Sequence, residues 1–283
     1  QARDVIEESE TGKPPIQSIN VIEFAPQGVL LVGDGTGSQV VAISTNDTTP
    51  DKPLREPIED FKTKLAGHLG AKSNGIEIID LAVNPASQRI YVAVRRQADK
   101  QYVIVTVSGD GKIRELPLEK VEYAVLKLTA GDAKISRVTD VAWADDRLIA
   151  AGRSNETFAS KIFSVYAPLK HNSTTETFSA ETYHVSHRRW ETKAPMSVVL
   201  PFKENGKMFV IGAFSCTPIV KYPLDSLKPG AKIKGISVME LGSGNRPIDM
   251  FIYKKGGKNF VLSNTFRFHH ARKPFGPSPY WTV

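Results

Sequence analysis

The sequence predicts an all-β fold: a β-propeller of four-stranded antiparallel blades with one short inserted helix. Three observations carry that expectation. Short β-branched and aromatic runs alternate with Gly, Pro, Asn and Asp along the whole chain, as strands and turns require. A unit of strand, turn, strand, loop and strand recurs five times. First strands of successive copies fall at even steps, 60 residues from Asp80 to Asp140, 57 from Asp140 to Ser197 and 52 from Ser197 to Asp249. A single blade cannot bury its own faces, so repeated blades stack on their neighbours. A large β-sandwich has similar strand counts, but the regular spacing argues against it.

The copies read in order as 20–25, 28–33 and 39–44, then 76–83, 89–94 and 102–107. The third is 138–144, 147–151 and 161–166, the fourth 197–202, 207–213 and 218–222, and the fifth begins 249–253 and 259–263. Fourth strands fit at 112–116, 177–184 and 232–240. Between the first two copies, Ile58, Phe61, Leu65 and Leu69 sit at helical spacing, which predicts an amphipathic helix within 56–70. The chain then reads as one domain with approximate blades 16–75, 76–136, 137–194, 195–244 and 245–283. The fifth copy lacks a fourth strand. Because a propeller must hide its edges, either the N-terminal residues complete that blade or the natural chain continues past Val283.

Composition sets the outer bounds. Of 283 residues, 41% are hydrophobic and 24% charged, near the averages for a globular protein with a sizeable core. No apolar run approaches the ~20 residues of a membrane helix, so no membrane insertion is expected. The lone Cys216 excludes an intramolecular disulfide framework. A net charge of +7 suits an anionic partner. The opening at Gln1, without an initiator methionine, resembles a mature end left by signal-peptide cleavage. The sequons Asn46-Asp47-Thr48, Asn155-Glu156-Thr157 and Asn172-Ser173-Thr174 fit export. A periplasmic or extracellular location is expected.

Four segments carry a resemblance: Ile79-Asp80-Leu81-Ala82-Val83-Asn84-Pro85, Ser154-Asn155-Glu156-Thr157-Phe158-Ala159-Ser160, Phe214-Ser215-Cys216-Thr217-Pro218 and Asn245-Arg246-Pro247-Ile248-Asp249-Met250. From about Ile16 onward the chain resembles secreted bacterial propellers of the WD40/YVTN and quinoprotein amine dehydrogenase β-chain-like superfamily. The resemblance implies the fold. It implies no function, because that superfamily includes enzyme subunits, ligand binders and scaffolds. The Trp-Asp dipeptide of WD40 blades is absent, since Trp143 precedes Ala144.

Propeller topology sorts the loops. Those entering a blade and those joining its second and third strands open on one face. That face collects Arg137, Asn155, Glu156, Arg188, Glu191, Asn245 and Arg246, with Asp249 in the strand below; these are the candidate ligand-binding residues. It also collects His184, His187, Cys216, His269 and His270, whose imidazoles and thiolate would suit a copper or zinc ion. Strand-end histidines are more often structural, and two strand residues three apart point to opposite faces, so the metal set competes with a bland reading. Cys216 as a nucleophile competes with burial beside Phe214 and Pro218. The opposite face receives mostly plain turns, at 26–28, 108–111 and 255–257.

The remaining signals are structural. The segment Gly33-Asp34-Gly35-Thr36-Gly37-Ser38 lies between two strands and not before a helix, so it reads as a hairpin turn and not a phosphate loop. Asp110-Gly111 is a hairpin signal as well. Asp80, Asp140 and Asp249 recur in first strands, where they would bond the backbone or hydroxyls of the adjacent blade, or else face a central channel. Basic clusters at Arg95-Arg96, Arg188-Arg189, Lys254-Lys255 and 269–273 lack stacked aromatics, which disfavours nucleic acid. Three functions remain in competition. The chain binds a polar or anionic ligand or a protein partner through its loop-rich face, it is a metal-dependent or redox enzyme, or it is a subunit docked through its Pro- and aromatic-rich C-terminal tail.

Overall fold

A computed structural model describes residues 4–184, 188–215, 218–242, 244–274 and 276–283. It is all-β, 56% strand and 6% helix, against about a third helix in an ordinary globular protein. Five small antiparallel sheets of propeller-blade type follow one another along the chain. They divide into two compact units: 1–128 with 165–175, and 129–164 with 176–283.

The first unit holds two blades. In the first, β1 (Val21–Ala25), β2 (Val29–Asp34) and β3 (Gln39–Ser44) form a meander whose residues are almost all buried. The helix α1 (Phe61–His68) follows, then the second blade of β4 (Ile76–Val83), β5 (Ile90–Arg96), β6 (Tyr102–Val107) and β7 (Ile113–Glu115). The next strand, β8 (Val121–Lys127), falls inside the span expected for the second blade. It pairs instead with β3 and becomes the outer strand of the first blade. Tyr123 and Val125 explain the choice, because they join Phe24, Ile43, Tyr91 and Ile104 in one buried cluster. The short strand Glu10–Gly12 pairs with β8, so the N-terminal segment lies against the first blade and does not complete the fifth. The helix begins five residues later than expected. Asp60 precedes it in a left-handed conformation (φ 49°), and Leu65 and Ala66 turn inward against Val92, Val94 and Val105.

The second unit holds three blades. The third is β9 (Ile135–Ala144), β10 (Arg147–Ser154), β11 (Ser160–Tyr166) and β12 (Glu176–His184). The fourth is β13 (Met196–Glu204), β14 (Lys207–Phe214), β15 (Pro218–Pro223) and β16 (Ile236–Glu240). Among the described residues the fifth has three strands: β17 (Asn245–Lys255), β18 (Lys258–Arg267) and β19 (Tyr280–Thr282). The single strand expected over 232–240 is broken. Lys232–Lys234 runs parallel to β12, and only β16 pairs with β15. Gly235 makes the break. A Cβ there would fall 2.1 Å from Val220 Cγ1 and 2.6 Å from the Tyr222 ring, so no side chain fits over these buried groups.

Inner strands share a device. A β-bulge precedes Asp80, Asp140, Val198 and Asp249, and such a bulge re-aims the side chain that follows it. Asp80 Oδ2 accepts the Ile22 backbone N–H at 2.8 Å, and Asp140 Oδ2 accepts that of Val199 at 2.7 Å. Two of the three recurrent aspartates thus bond the backbone of a neighbouring blade. Asp249 accepts from its own neighbour, Met250, at 2.7 Å. The Gly33–Ser38 hairpin is confirmed as a turn around the buried Asp34 carboxylate. That group accepts from Ser18 N and Oγ, Gln17 N, Gly37 N and Gln39 Nε2 at 2.7 to 3.0 Å.

Candidate functional site

Hydrogen bonds show which loops of the second unit gather. Asn155 Oδ1, in the loop between β10 and β11, accepts the Lys134 N–H at 3.0 Å from the segment entering β9. Ala159 N donates to Thr192 O at 3.2 Å, and Ser215 N to Pro195 O at 3.0 Å. Phe268 N donates to Gly244 O at 3.0 Å. Each blade-entry loop is therefore tied to a loop between second and third strands, as topology requires.

The candidate ligand-binding residues divide within this loop-rich end. Arg137 is exposed on β9, opposite Arg153. Asn155 and Glu156 are exposed, and Glu156 pairs with the nearly buried Lys161 at 2.8 Å. Glu191 Oε1 caps the backbone N–H groups of Lys193 and Ala194 at 2.9 and 2.8 Å, which is a structural task. Arg188 is exposed at φ 52°. Asn245 and Arg246 open β17, and Asn245 Nδ2 donates to Leu241 O at 2.8 Å. Asp249 lies farther along β17; crowding by protein raises its carboxyl above the usual range, opposed by the Met250 N–H. Of the metal set, His187 and Cys216 lie outside the described residues, as does the His184 side chain. His269 stands exposed beside Gly244, and His270 is half-buried. Among the described residues no group of three His, Cys, Asp or Glu could hold a metal ion.

A well-formed cavity adjoins this end, and it is not polar. About 580 Å3 opens between the fourth and fifth blades, lined by Ile211, Ile219, Val238, Met239, Val261 and Trp281, with Asn245 and Glu240 at its polar margin. The apolar groups around it stay open to solvent: Met239 is 57% exposed, Val238 51% and Trp281 42%. Of the candidate ligand-binding residues only Asn245 lines this cavity, which sequence reasoning did not foresee. Alternating strands hid it, because Val238, Met239, Val261 and Trp281 belong to three separate elements.

Sequence reasoning also missed a polar construction at the turn end of the first unit. The chain leaving β3 folds back on the turns at 26–28, 84–89 and 108–111, so this face carries more than plain turns. Asp47, with a 9% exposed side chain, is the centre. Its carboxylate accepts from Ser87 Oγ at 2.7 Å, Tyr91 OH at 2.9 Å and Asn84 Nδ2 at 3.3 Å, and it pairs with Arg89. Burial, with the adjacent carboxylate, pushes the Tyr91 phenol well above its usual range. Arg89 Nε also reaches Asp51 at 3.3 Å. A cleft of about 730 Å3 opens over this cluster.

No family model and no curated protein matches the chain. Solved structures share 10 to 11% identity with it. A glycoside hydrolase family 43 β-xylosidase/α-arabinofuranosidase from a compost microbial metagenome is 10% identical, with 99% of this chain and 92% of that one covered and a TM-score of 0.39. The lignostilbene dioxygenase of Pseudomonas brassicacearum is 11% identical, covering 92% of this chain and 54% of that one, at 0.37. Raptor of Chaetomium thermophilum is 11% identical, covering 98% and 22%, at 0.35. The chain thus spans about a fifth and about half of the length of the latter two.

Proposed function

We propose that this chain is a binding module that takes an extended segment of a protein partner along the outer edge of β19. One observation carries the reading: an apolar cavity lies along the outer edge of β19, the last of the three strands described in the fifth blade. Register sharpens it. Ser263 and Val283 exchange both backbone hydrogen bonds, at 2.7 and 2.8 Å, so Trp281 also faces β18 while the main chains of Tyr280 and Thr282 face outward. Trp281 and Val283 project to the cavity side. A strand added at this edge gains main-chain hydrogen bonds, and every second side chain meets the apolar wall. Arg267 lies 4.4 Å over the Trp281 ring and braces the edge. The charged loop-rich end supplies a rim that excludes wrong partners. Export and kinship to the WD40/YVTN group belong to the same proposal, and fractionation of the native host tests the export.

Panning random nine-residue peptides against the whole protein tests the binding. Enriched sequences should carry apolar residues at alternate positions. Their affinity should fall at least about tenfold in Thr282→Pro, which removes an outward N–H and leaves the backbone ladder to β18, but not in Thr282→Val, which loses only the Thr282 Oγ1 bond to Asn264 Oδ1. Enriched peptides that bind Thr282→Pro as well as the parent would overturn the reading.

A further inference from the structure

We infer that the turn end of the first unit is a binding site for an anionic carbohydrate, an oligosaccharide bearing carboxylate or sulfate groups. Two clefts of about 700 and 730 Å3 adjoin there, sharing Lys52, Gly109 and Asp110, and each is of the size that holds a small ligand. Together they line one trough. Its construction depends on Gly109. A Cβ there would fall 1.7 Å from the Lys52 carbonyl oxygen, so only glycine lets the 52–58 segment close against the turn between β6 and β7.

The floor is already satisfied. Asp47 has its full set of donors, Arg89 is held by Asp47 and Asp51, and Lys112 pairs with Asp110 at 2.5 Å. These groups make little demand on a ligand, so the remaining charges decide its sign. Lys52, Arg55, Lys64 and Arg114 line the trough without an ion pair among the described residues, against the two carboxylates Glu56 and Glu115. Over the whole lining six cations (Lys52, Arg55, Lys64, Arg89, Lys112 and Arg114) face five carboxylates (Asp47, Asp51, Glu56, Asp110 and Glu115), a surplus of one positive charge that lies among the cations outside the floor's ion pairs. Thr45, Thr106 and Ser108 add hydroxyls to the lining, and Leu116 with Pro117 offers a flat apolar contact of the kind that a sugar ring's C–H face takes. Nucleic acid fits poorly, because the aromatic residue in the wall, Tyr91, is buried and offers no stacking platform.

Calorimetric titration of the whole chain tests the site with four probes: trigalacturonate, a chondroitin sulfate hexasaccharide, neutral xylohexaose and inorganic sulfate. The two charged oligosaccharides should bind at least about tenfold more tightly than xylohexaose or sulfate. Lys52→Gln and Arg114→Gln should each weaken them about tenfold, the loss of one charge-assisted hydrogen bond. Lys232→Gln, in the second unit, should change nothing. Equal binding of xylohexaose would mean that charge is not read, and equal binding of sulfate would mean a simple anion site. A loss in Lys232→Gln matching that in Arg114→Gln would mean diffuse surface charge. Any of these, or no binding of the charged probes, overturns the inference.

Discussion

Asp47 shows how one residue can organise a region that its local sequence does not announce. Its turn-like surroundings, Thr45 to Pro50, read as an ordinary loop or a glycosylation sequon, because the partners of its carboxylate lie about forty residues away on β5 or the turn before it. Removing the carboxylate takes the closer of two ion-pair partners from Arg89, which keeps Asp51, and removes the acceptor of the Ser87 and Tyr91 hydroxyls in a largely buried cluster. Asp47→Ala should therefore lower stability by about 3 kcal/mol, read from urea unfolding; a loss under about 1 kcal/mol would show the cluster to be decorative. In the second unit, Tyr222 OH and Thr182 Oγ1 are both fully buried and lie 2.6 Å apart. Tyr222→Phe strands the threonine hydroxyl and should cost about 1–2 kcal/mol in the same assay.

Asp249 carries the pH dependence at this scale. Its folded-state pKa is raised, so the folded protein holds its proton to higher pH than the unfolded chain does. Its contribution is present below the ordinary aspartate pKa of about 3.9 and is lost as pH rises through the folded value. Asp249→Asn should remove that decline and leave the protein more thermostable at pH 7 than its parent. A variant whose melting temperature tracks the parent from pH 3 to 7 would contradict the assignment.

At the scale of elements, the strands of the five copies were legible because alternation and turn residues are local. All three strands of the first copy, and the first and third of the second, lie within two residues of their expected bounds. What was not legible is non-local. Nothing near β8 says that it returns to β3, and nothing near Lys232 says that Gly235 must clear Tyr222. Asp80 and Asp140 were legible in role, since a carboxylate behind a bulge has neighbouring backbone N–H groups within reach, whereas Asp249 bonds its own neighbour Met250. Asp80→Ala and Asp140→Ala should each cost about 1.5–3 kcal/mol, the value of a hydrogen bond to a charged group. Asn at either site should recover part of the loss, and failure of both Asn variants to do so would mean that the bond to the adjacent blade is not what stabilises.

At the scale of the whole molecule, the loop ends of the blades were legible and the cavities were not. Loop sorting located the ends of blades correctly, as the pairs Ala159 with Thr192 and Phe268 with Gly244 attest. It gave no view of the cavities, which arise where separate elements approach: β16 against β19 in one unit, and the 52–58 segment against Gly109 in the other. The C-terminal aromatic run, legible only as a tail, forms the strand that pairs with β18 in the fifth blade. Amide exchange at β19 reads the consequence most directly. With a panned peptide bound, the outward amide of Thr282 should exchange at least tenfold more slowly, while the amide of Val283, already bonded to Ser263, changes little. Protection confined to the loop-rich tips, with Thr282 unchanged, would contradict strand addition at this edge.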